Sequence, residues 1–427
     1  MSILARKGLI LSAPSSGSGK TTLTLGLLRA LSRRGVDVSG AKSGPDYIDP
    51  RFHAAACGRE CPNLDAWAMD PARIGGLASY GAELLLIEGA MGLFDGAPPA
   101  GRGATADLAR LLNMPVVMVI DCARLAHSVA PLVAGFAGHD PDVRVAGVIL
   151  NNVGSPRHET MLRAALASGR IPVLGAVHRQ SGMEHPSRHL GLVQAGEHPD
   201  LQAYLDHVAD AVDAAIDLEA LVALAQPITS TDTAAPRLSA PGKRIAIASD
   251  RAFAFAYPHM LADWTAQGAD ILPFSPLADQ APNSRADFIF LPGGYPELHA
   301  ETLAAAQSFK AGMRAATCLI YGECGGYMTL GQAITDKDGQ RHEMLGLLDL
   351  ETSFASRKLH LGYRSLHTTQ GPFPGAWTAH EFHYATTLHA SGTPLFDATD
   401  AEGNALQAMG LVNGHVSGSF AHLIDRA

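Results

Sequence analysis

Residues 8–34 read GLILSAPSSGSGKTTLTLGLLRALSRR, and this stretch decides the fold of the first half of the chain. The apolar run at its start has the composition of a buried strand and stops at a Pro/Ser/Gly turn. From Lys20 onward, Leu23, Leu27 and Leu31 recur at helical spacing. A buried strand, a glycine-rich turn and a helix in this order predict an α/β fold with a parallel sheet.

The turn PSSGSGKT (14–21) follows the phosphate-loop pattern G-x-x-x-x-G-K-[ST], except that proline replaces the first glycine. Small residues let backbone N–H groups surround phosphate oxygens, and the helix start adds its positive end. In this pattern Lys20 reaches the β- and γ-phosphates, and the Thr21 hydroxyl holds Mg²⁺. An ordinary Gly/Ser turn is the alternative, and the pair Asn151 and Asn152 either faces adenine or serves a local turn. The predicted ATP-binding residues are Ser15, Ser16, Gly17, Ser18, Gly19, Lys20, Thr21, Thr22 and Asn152.

Strand and helix patterns alternate further along the chain. Four more apolar runs predict buried strands with helical stretches between them: ELLLIEG (83–89), PVVMVID (115–121), VAGVILNNV (145–153) and IPVLGAV (171–177). Residues 226–243 are rich in Pro, Ser and Thr and predict a linker, after which a second α/β pattern begins. The predicted organisation is therefore a phosphate-loop-type domain over 1–225 and a second α/β domain over 244–427.

Composition narrows the possible partners. The chain has 427 residues and a formal net charge of −9, which argues against nucleic acid or an anionic membrane as partner. Apolar runs fall short of the roughly 20 residues that span a bilayer. Five cysteines without a framework spacing predict a reducing, cytoplasmic compartment. Cys57 and Cys61 have no matching pair for zinc and are interpreted as structural thiols.

Two acidic clusters could complete a metal and substrate site beside the turn. KSGPDYIDP (42–50) holds Lys42, Asp46, Tyr47 and Asp49, whereas IEGAMGLFDG (87–96) holds Glu88 and Asp95. Carboxylates at the carboxyl ends of strands near a phosphate turn can bind Mg²⁺. A Pro/Asp turn and a strand-end cap are the local alternatives.

The second half contains a cysteine in an elbow-like sequence. IYGECGGYM (320–328) places Cys324 between an apolar strand and a helix, in a Gly-x-Cys-x-Gly context typical of a nucleophile elbow. The helix start is expected to favour the thiolate. Backbone N–H groups near Gly294 and Tyr295, in LPGGYPE, and of Gly325 predict an oxyanion hole. A buried packing cysteine is the alternative, and the residues alone leave the base open among His380, His383, His389, His415 and His422.

These motifs together carry a family resemblance. APSSGSGKTT, GPDYIDP and EGAMGLFDG resemble the synthetase domain of cobyrinic acid and hydrogenobyrinic acid a,c-diamide synthases, whose nucleotide fold is similar to that of dethiobiotin synthetase. LPGGYPEL, GECGGYM, HEFHYA (380–385) and GSFAHL (418–423) resemble a class I glutamine amidotransferase domain. The motifs follow the family order over almost the whole chain.

The resemblance implies roles for individual residues. Cys324 is implied as the glutaminase nucleophile and His422 as its base. Ordinary class I glutaminases carry Glu two residues after that His, where this chain has Ile424, so the third triad member is missing or supplied elsewhere. The implied metal ligands are Thr21, Asp46 and Glu88. The implied groups for substrate binding and activation are Lys42, Asp46, Tyr47, Asp49 and Asp95.

The same resemblance implies an activity. ATP with Mg²⁺ would phosphorylate the a and c carboxylates of a corrin ring, and ammonia released from L-glutamine would displace phosphate. The two sites are then expected to face a sheltered passage, and a homodimer is left open. The alternatives are the cobalt-containing or nickel-sirohydrochlorin substrate, a phosphate-loop ATPase switch with an inert second domain, and a tetrapyrrole carrier.

Overall fold

A computed structural model describes residues 6–183, 194–228 and 237–427. The chain divides into two compact units, Met1–Pro236 and Arg237–Ala427. The predicted linker begins with Gln226 and Pro227, which pair with the first strand, and its residues 229–236 lie outside the described part. No helix among the described residues is long and apolar enough to cross a membrane.

The first unit alternates strands and helices. Its strands are β1 (Lys7–Ser12), β2 (Val38–Ser43), β3 (Asn63–Leu64), β4 (Leu84–Glu88), β5 (Val116–Asp121), β6 (Val145–Val153), β7 (Val173–His178) and β8 (Gln226–Pro227). Its helices are α1 (Lys20–Arg33), α2 (Asp49–Cys57), α3 (Pro71–Ala78), α4 (Thr105–Leu112), α5 (Val129–His139), α6 (Pro156–Leu166), α7 (Leu201–Ala215) and α8 (Leu218–Leu224).

These strands form one sheet in the order β3-β2-β4-β1-β5-β6-β7, with β8 antiparallel on the start of β1. The other pairings are parallel. The chain leaves β1 toward β2 on one side and later reaches β5 on the other side. In open α/β sheets such a reversal leaves a crevice at the carboxyl ends of the strands, where ligands bind.

The phosphate turn is supported by the buried strand before it and by the packed helix after it. The strand before the turn, β1, is buried from Gly8 to Ser12, as expected for a central parallel strand. α1 packs closely on α7, because a Cβ atom built on Gly26 would lie 2.5 Å from Val212. Arg29 on α1 adds an ion pair with Asp206 on α7 at 2.8 Å. The turn before α1 is therefore held on a rigid support.

The second unit carries many more strands. They are β9 (Arg244–Ala248), β10 (Asp270–Phe274), β11 (Phe288–Leu291), β12 (Leu319–Glu323), β13 (Ala333–Thr335), β14 (Arg341–Glu343), β15 (Leu350–Ser353), β16 (His360–Thr368), β17 (Gly375–His383), β18 (Thr386–Ala390), β19 (Asp397–Thr399), β20 (Leu411–Asn413), β21 (Val416–Ser419) and β22 (Ala421–Arg426). Its helices are α9 (Pro258–Ala266), α10 (Ala300–Ala305), α11 (Gln307–Ala315) and α12 (Gly325–Leu330).

Three sheets organise the described residues of this unit. The main sheet has the order β10-β9-β11-β12-β21-β20, parallel except for β20, and the two smaller sheets are β14-β13-β15-β18 and β19-β16-β17-β22. β12 lies inside the main sheet, and Cys324 follows its last residue. Because β22 follows β21 after one residue, its His422 is carried close to the end of β12.

The structure departs from the sequence predictions at a few elements. The strand β2 was not among the predicted strands, because its sequence VSGAKS lacks a strong apolar run. It is nevertheless fully buried between β3 and β4. In the second unit, α10 and α11 are separate helices, since Ala306 between them leaves the helical conformation with ψ of 86°. After residue 345 the chain forms strands, β15 to β22, and no helix.

Candidate functional site

The phosphate turn of the first unit has the shape that its sequence predicts. Gly19 has a φ of 87°, and a Cβ atom there would lie 2.2 Å from the Asn151 side-chain nitrogen. That nitrogen donates a hydrogen bond to the Ser18 carbonyl at 2.9 Å. The Lys20 ammonium donates to the carbonyls of Ser15 at 3.1 Å and Met91 at 2.5 Å. The lysine is thus folded back over the turn.

A cluster of charged side chains lies beside this turn. Register sets Lys42 on β2 opposite Glu88 on β4, and their side chains meet at 2.8 Å. Lys42 also pairs with Asp49 at 2.6 Å, while His53 contacts the second oxygen of Glu88 at 2.6 Å. The Thr21 hydroxyl donates to Glu88 at 2.6 Å. Two groups predicted to bind metal, Thr21 and Glu88, are therefore adjacent.

Burial and neighbouring charges set the protonation states of this cluster. Burial disfavours the charged form of Lys42, but Asp49 and Glu88 outweigh it and raise the lysine pKa. Burial likewise opposes ionisation of Glu88, yet Lys42 and His53 hold the carboxyl pKa well below its ordinary value. Burial and the charge of Lys42 lower the pKa of Lys20 to about 8. Lys20 therefore keeps most of its charge at neutral pH.

A cavity of about 530 Å³ opens over the turn and the cluster. Its wall includes the predicted residues Ser16, Gly17, Gly19, Lys20, Thr21, Thr22, Lys42, Glu88 and Asn152. His178, the last residue of β7, and the next two residues, Arg179 and Gln180, also line the cavity. Its volume and its cationic, glycine-rich wall suit a nucleoside triphosphate.

Several predicted residues lie behind this wall rather than on it. The Ser18 hydroxyl donates to the Ser15 carbonyl, which shapes the turn from inside. One oxygen of Asp46 accepts the N–H groups of Ile48 and Asp49 at 2.7 and 2.9 Å and caps the start of α2. Burial and the charge of Asp49 raise the pKa of Asp46 to about 6. Tyr47 is half-buried in the same turn.

The remaining members of the predicted set also have local contacts. The Asp95 carboxylate accepts the N–H group of Gly92 at 2.8 Å. The Asn152 side chain donates to Asp121 at 2.9 Å. Asn151 was predicted, with Asn152, either to face adenine or to serve a local turn, whereas His53 was not predicted as a site residue. His53 falls four residues after Asp49, so helical spacing could have found it, whereas the contact of Asn151 with Ser18 joins the end of β6 to the distant phosphate turn.

A substitution at Gly19 should disrupt ATP binding. Gly19→Ala places a Cβ atom in a left-handed backbone conformation and against Asn151, so we expect a stability loss of about 1–3 kcal/mol and a higher KM for ATP. Gly17→Ala is the matched control, because Gly17 has a φ of 78° but no atom within 4 Å of its Cβ position. Thermal unfolding and ATP titration of both variants separate backbone strain from the clash. Equal effects in the two variants would contradict the predicted clash.

In the second unit, Cys324 occupies a strained elbow. It has φ 46° and ψ −102°, which is unusual for a residue with a side chain. Its N–H group donates to the Ser419 carbonyl at 2.8 Å, and its thiol contacts the Phe382 carbonyl at 3.9 Å. Close packing requires the neighbouring glycines, since a Cβ atom on Gly326 would lie 1.9 Å from the Leu291 carbonyl oxygen.

The predicted oxyanion groups lie together beside this elbow. A Cβ atom on Gly325 would lie 3.1 Å from the backbone nitrogen of Gly294. Gly294 has a φ of 157° and approaches the Ala252 carbonyl too closely for a side chain. Tyr295 is half-buried, and its ring packs edge-on against Phe255 at 5.2 Å. Gly294 and Gly325 are therefore close neighbours beside the elbow.

Of the five candidate histidines, His422 packs against this turn. A Cβ atom on Gly293 would lie 2.3 Å from the His422 ring. His380 is the cross-strand partner of His422, and His383 contacts Glu381 at 3.0 Å. His389 and His415 are held elsewhere, by an ion pair with Asp349 and a contact with the Ala316 carbonyl.

Electrostatics at Cys324 differ from the sequence expectation. The helix start was expected to favour the thiolate, but burial and the nearby Glu297 carboxylate raise the pKa of the Cys324 thiol. Burial and the charge of His383 lower the pKa of His422 to about 3, so its imidazole is neutral near pH 7. A neutral imidazole beside a protonated thiol can accept a proton as the thiol attacks.

Comparison with known proteins finds a family match in each unit. Residues 9–193 match a model described as the CobQ/CobB/MinD/ParA nucleotide binding domain, and residues 244–426 match the CobB/CobQ-like glutamine amidotransferase domain. The chain is 55% identical to hydrogenobyrinate a,c-diamide synthase of Brucella anthropi, with 98% of each chain covered. It belongs to this synthase family.

Other relatives have the same name. The Rhizobium meliloti protein is 55% identical over 98% of this chain and 99% of its own, and the Mesorhizobium japonicum protein is 51% identical over 99% and 100%. Family membership confirms the predicted resemblance and the two-domain α/β fold. It also supports a glutamine-hydrolysing carbon–nitrogen ligase, and the match over 244–426 disfavours an inert second domain.

Proposed function

We propose that this chain uses ATP and glutamine to amidate the a and c carboxylates of hydrogenobyrinic acid in cobalamin biosynthesis. The observation that carries the proposal is a full-length match to synthases of that name, in a chain that has both a phosphate-loop cavity and a cysteine elbow. Its expected partners are small molecules. A cytoplasmic location and a homodimer stay predictions of the sequence.

The first unit would activate the carboxylate. A substrate carboxylate oxygen attacks the γ-phosphorus of ATP, ADP leaves, and an acyl phosphate forms. Lys20 and the N–H groups of the turn bind the phosphates, with Asn152 on the cavity wall beside them. Tyr47 and Asp95 are proposed to position the substrate. Because Lys42 is already paired with two carboxylates, we propose that it orients Asp49 and Glu88 toward the substrate.

Magnesium fits the oxygen groups of this site. The Thr21 hydroxyl and the Glu88 carboxylate are neighbours on the cavity wall, and such hard oxygen ligands suit Mg²⁺. These two residues would hold the ion, with Asp46 as the third proposed ligand. When bound, Mg²⁺ would offset the negative charge of the phosphates.

The second unit would supply ammonia. Cys324 attacks the side-chain amide of glutamine as His422 takes the thiol proton, and the N–H groups of Gly294 and Gly325 stabilise the oxyanion. Return of the proton releases ammonia and leaves a glutamyl thioester, which water hydrolyses. Ammonia then attacks the acyl phosphate, and phosphate leaves as the amide forms. We propose a sheltered passage for this transfer, because ammonia in bulk water is largely protonated.

The substrate is tested by product mass. The purified chain is incubated with ATP, Mg²⁺ and glutamine, and with hydrogenobyrinic acid, cobyrinic acid or nickel-sirohydrochlorin. We expect two amides to be added to hydrogenobyrinic acid and little product from the metal-containing substrates. Preferential amidation of a cobalt or nickel substrate would overturn the substrate assignment, and loss of ATP-dependent amidation on all three would overturn the proposed activity.

A further inference from the structure

A buried carboxylate beside His422 comes from an unexpected position. Glu323 is the residue immediately before Cys324, and its Oε2 lies 3.7 Å from Nδ1 of His422. Its other oxygen accepts the N–H group of Leu423 at 3.1 Å, which ties the end of β12 to β22. Both side chains are nearly inaccessible, with 3% and 2% of their surface exposed. The contact is therefore shielded from water.

We infer that Glu323 is the positioning residue that orients His422, in place of the Glu that ordinary class I glutaminases carry where this chain has Ile424. The inference rests on the proposed roles of Cys324 and His422. At 3.7 Å the two atoms are in ion-pair range but beyond hydrogen-bond distance, and an approach of less than 1 Å would let an ionised Glu323 accept a hydrogen bond from Nδ1–H of His422. That bond leaves Nε2 without its proton, which is the tautomer that a general base needs.

Glu381 is the other carboxylate near this histidine, and it is already engaged. Arg364 donates to one of its oxygens at 2.7 and 2.9 Å, and His383 contacts the other at 3.0 Å. Those contacts hold Glu381 in the sheet of β16 and β17. Among the described residues, the ion-pair contact of Glu323 is with His422, whose imidazole is neutral near pH 7, and no Lys or Arg pairs with it.

Protonation of Glu323 would determine which ring nitrogen of His422 carries the imidazole proton. Burial raises its carboxyl pKa to about 8, against the opposing effect of the Leu423 N–H group. A protonated carboxyl group would donate to Nδ1 and place the imidazole proton on Nε2, where it blocks base catalysis. Glutaminase activity should therefore rise with pH through this range. The other titratable groups around the pair are Tyr321, Cys324, Glu297, His380, Glu381 and His383.

The test compares Glu323→Gln, Glu323→Asp and Glu381→Gln in the full chain. Glu323→Gln should lower glutamine-dependent kcat by roughly 10²- to 10⁴-fold, as loss of the orienting carboxylate does in hydrolase triads, with little change in the KM for glutamine. The pH profile of Glu323→Gln should lose the rise near pH 8. Glu323→Asp should recover part of the glutamine-dependent kcat and part of that rise. Glu343→Gln, an exposed position in the same unit, is the matched control.

The outcomes separate this inference from the proposed function. Ammonium-supported amidation by Glu323→Gln should equal that of the wild type, which shows that the chain is folded and that the synthetase half works. Wild-type kcat and pH profile in Glu323→Gln, or the loss of that inflection in Glu381→Gln alone, would overturn the role of Glu323. Glutamine-dependent synthesis by a chain without the Cys324 thiol would instead overturn the proposed function.

Discussion

Replacing Cys324 with Ser should abolish glutamine-dependent amidation while amidation with added ammonium continues. A serine hydroxyl is far less acidic than a thiol. Because position 324 is buried and close to the Glu297 carboxylate, its surroundings would not stabilise a serine alkoxide. We expect kcat with glutamine to fall by roughly 10⁴-fold or more, as when a nucleophile is removed from a triad enzyme. Steady-state rates with glutamine and with ammonium chloride measure the two activities separately.

Cys318→Ser is the matched control for this substitution. Cys318 is a half-buried free thiol that lies just before β12, in the same unit. Its replacement should leave glutamine-dependent synthesis within about twofold, since surface and half-buried substitutions away from a site have small effects. Retained glutamine use in Cys324→Ser would show that another residue is the nucleophile.

Replacing Lys20 with Met should impair amidation with either nitrogen source while glutamine hydrolysis continues. The Lys20 ammonium is folded over the turn by the carbonyls of Ser15 and Met91, and it faces the cavity. Methionine has similar length but no charge, so the phosphates would lose the positive charge that Lys20 supplies to the cavity wall. We expect amidation with either nitrogen source to fall by about 10²- to 10³-fold, the usual cost of losing one electrostatic contact to the reacting group.

The glutaminase half gives the internal check on Lys20→Met. Hydrolysis of glutamine should survive because Cys324 belongs to the other compact unit. Lys7→Met is the control, since Lys7 is exposed at the start of β1, the strand that precedes the phosphate turn. If Lys20→Met kept wild-type amidation and ATP affinity, the turn would be an ordinary structural loop.

Much of each site could be predicted where the chemistry is local. Gly19 and Cys324 are recognisable from sequence because a tight turn restricts which residues can follow one another. The structure gives both positive φ angles, and it shows that a Cβ atom on Gly19 would meet Asn151. The resemblance added His422, which the residues alone did not distinguish from four other histidines.

Other features depend on pairings between distant segments. Lys42 was predicted near the substrate, but only the register of β2 against β4 and the position of α2 show that Glu88 and Asp49 already balance its charge. Asn151 and Arg179 reach the cavity because β6 and β7 are neighbours in the sheet. A local pattern does not encode strand order or register.

The sequence by itself determined the two-domain α/β fold, the phosphate turn and the cysteine elbow, because short-range backbone sterics and apolar periodicity act within a few residues. The tertiary structure decided which side chains complete each site. His53 joins Glu88 from α2, and Glu323 meets His422 across two strands. Such contacts form only when buried strands pack in one order, since burial then leaves each charged group with the neighbours that the sheet provides.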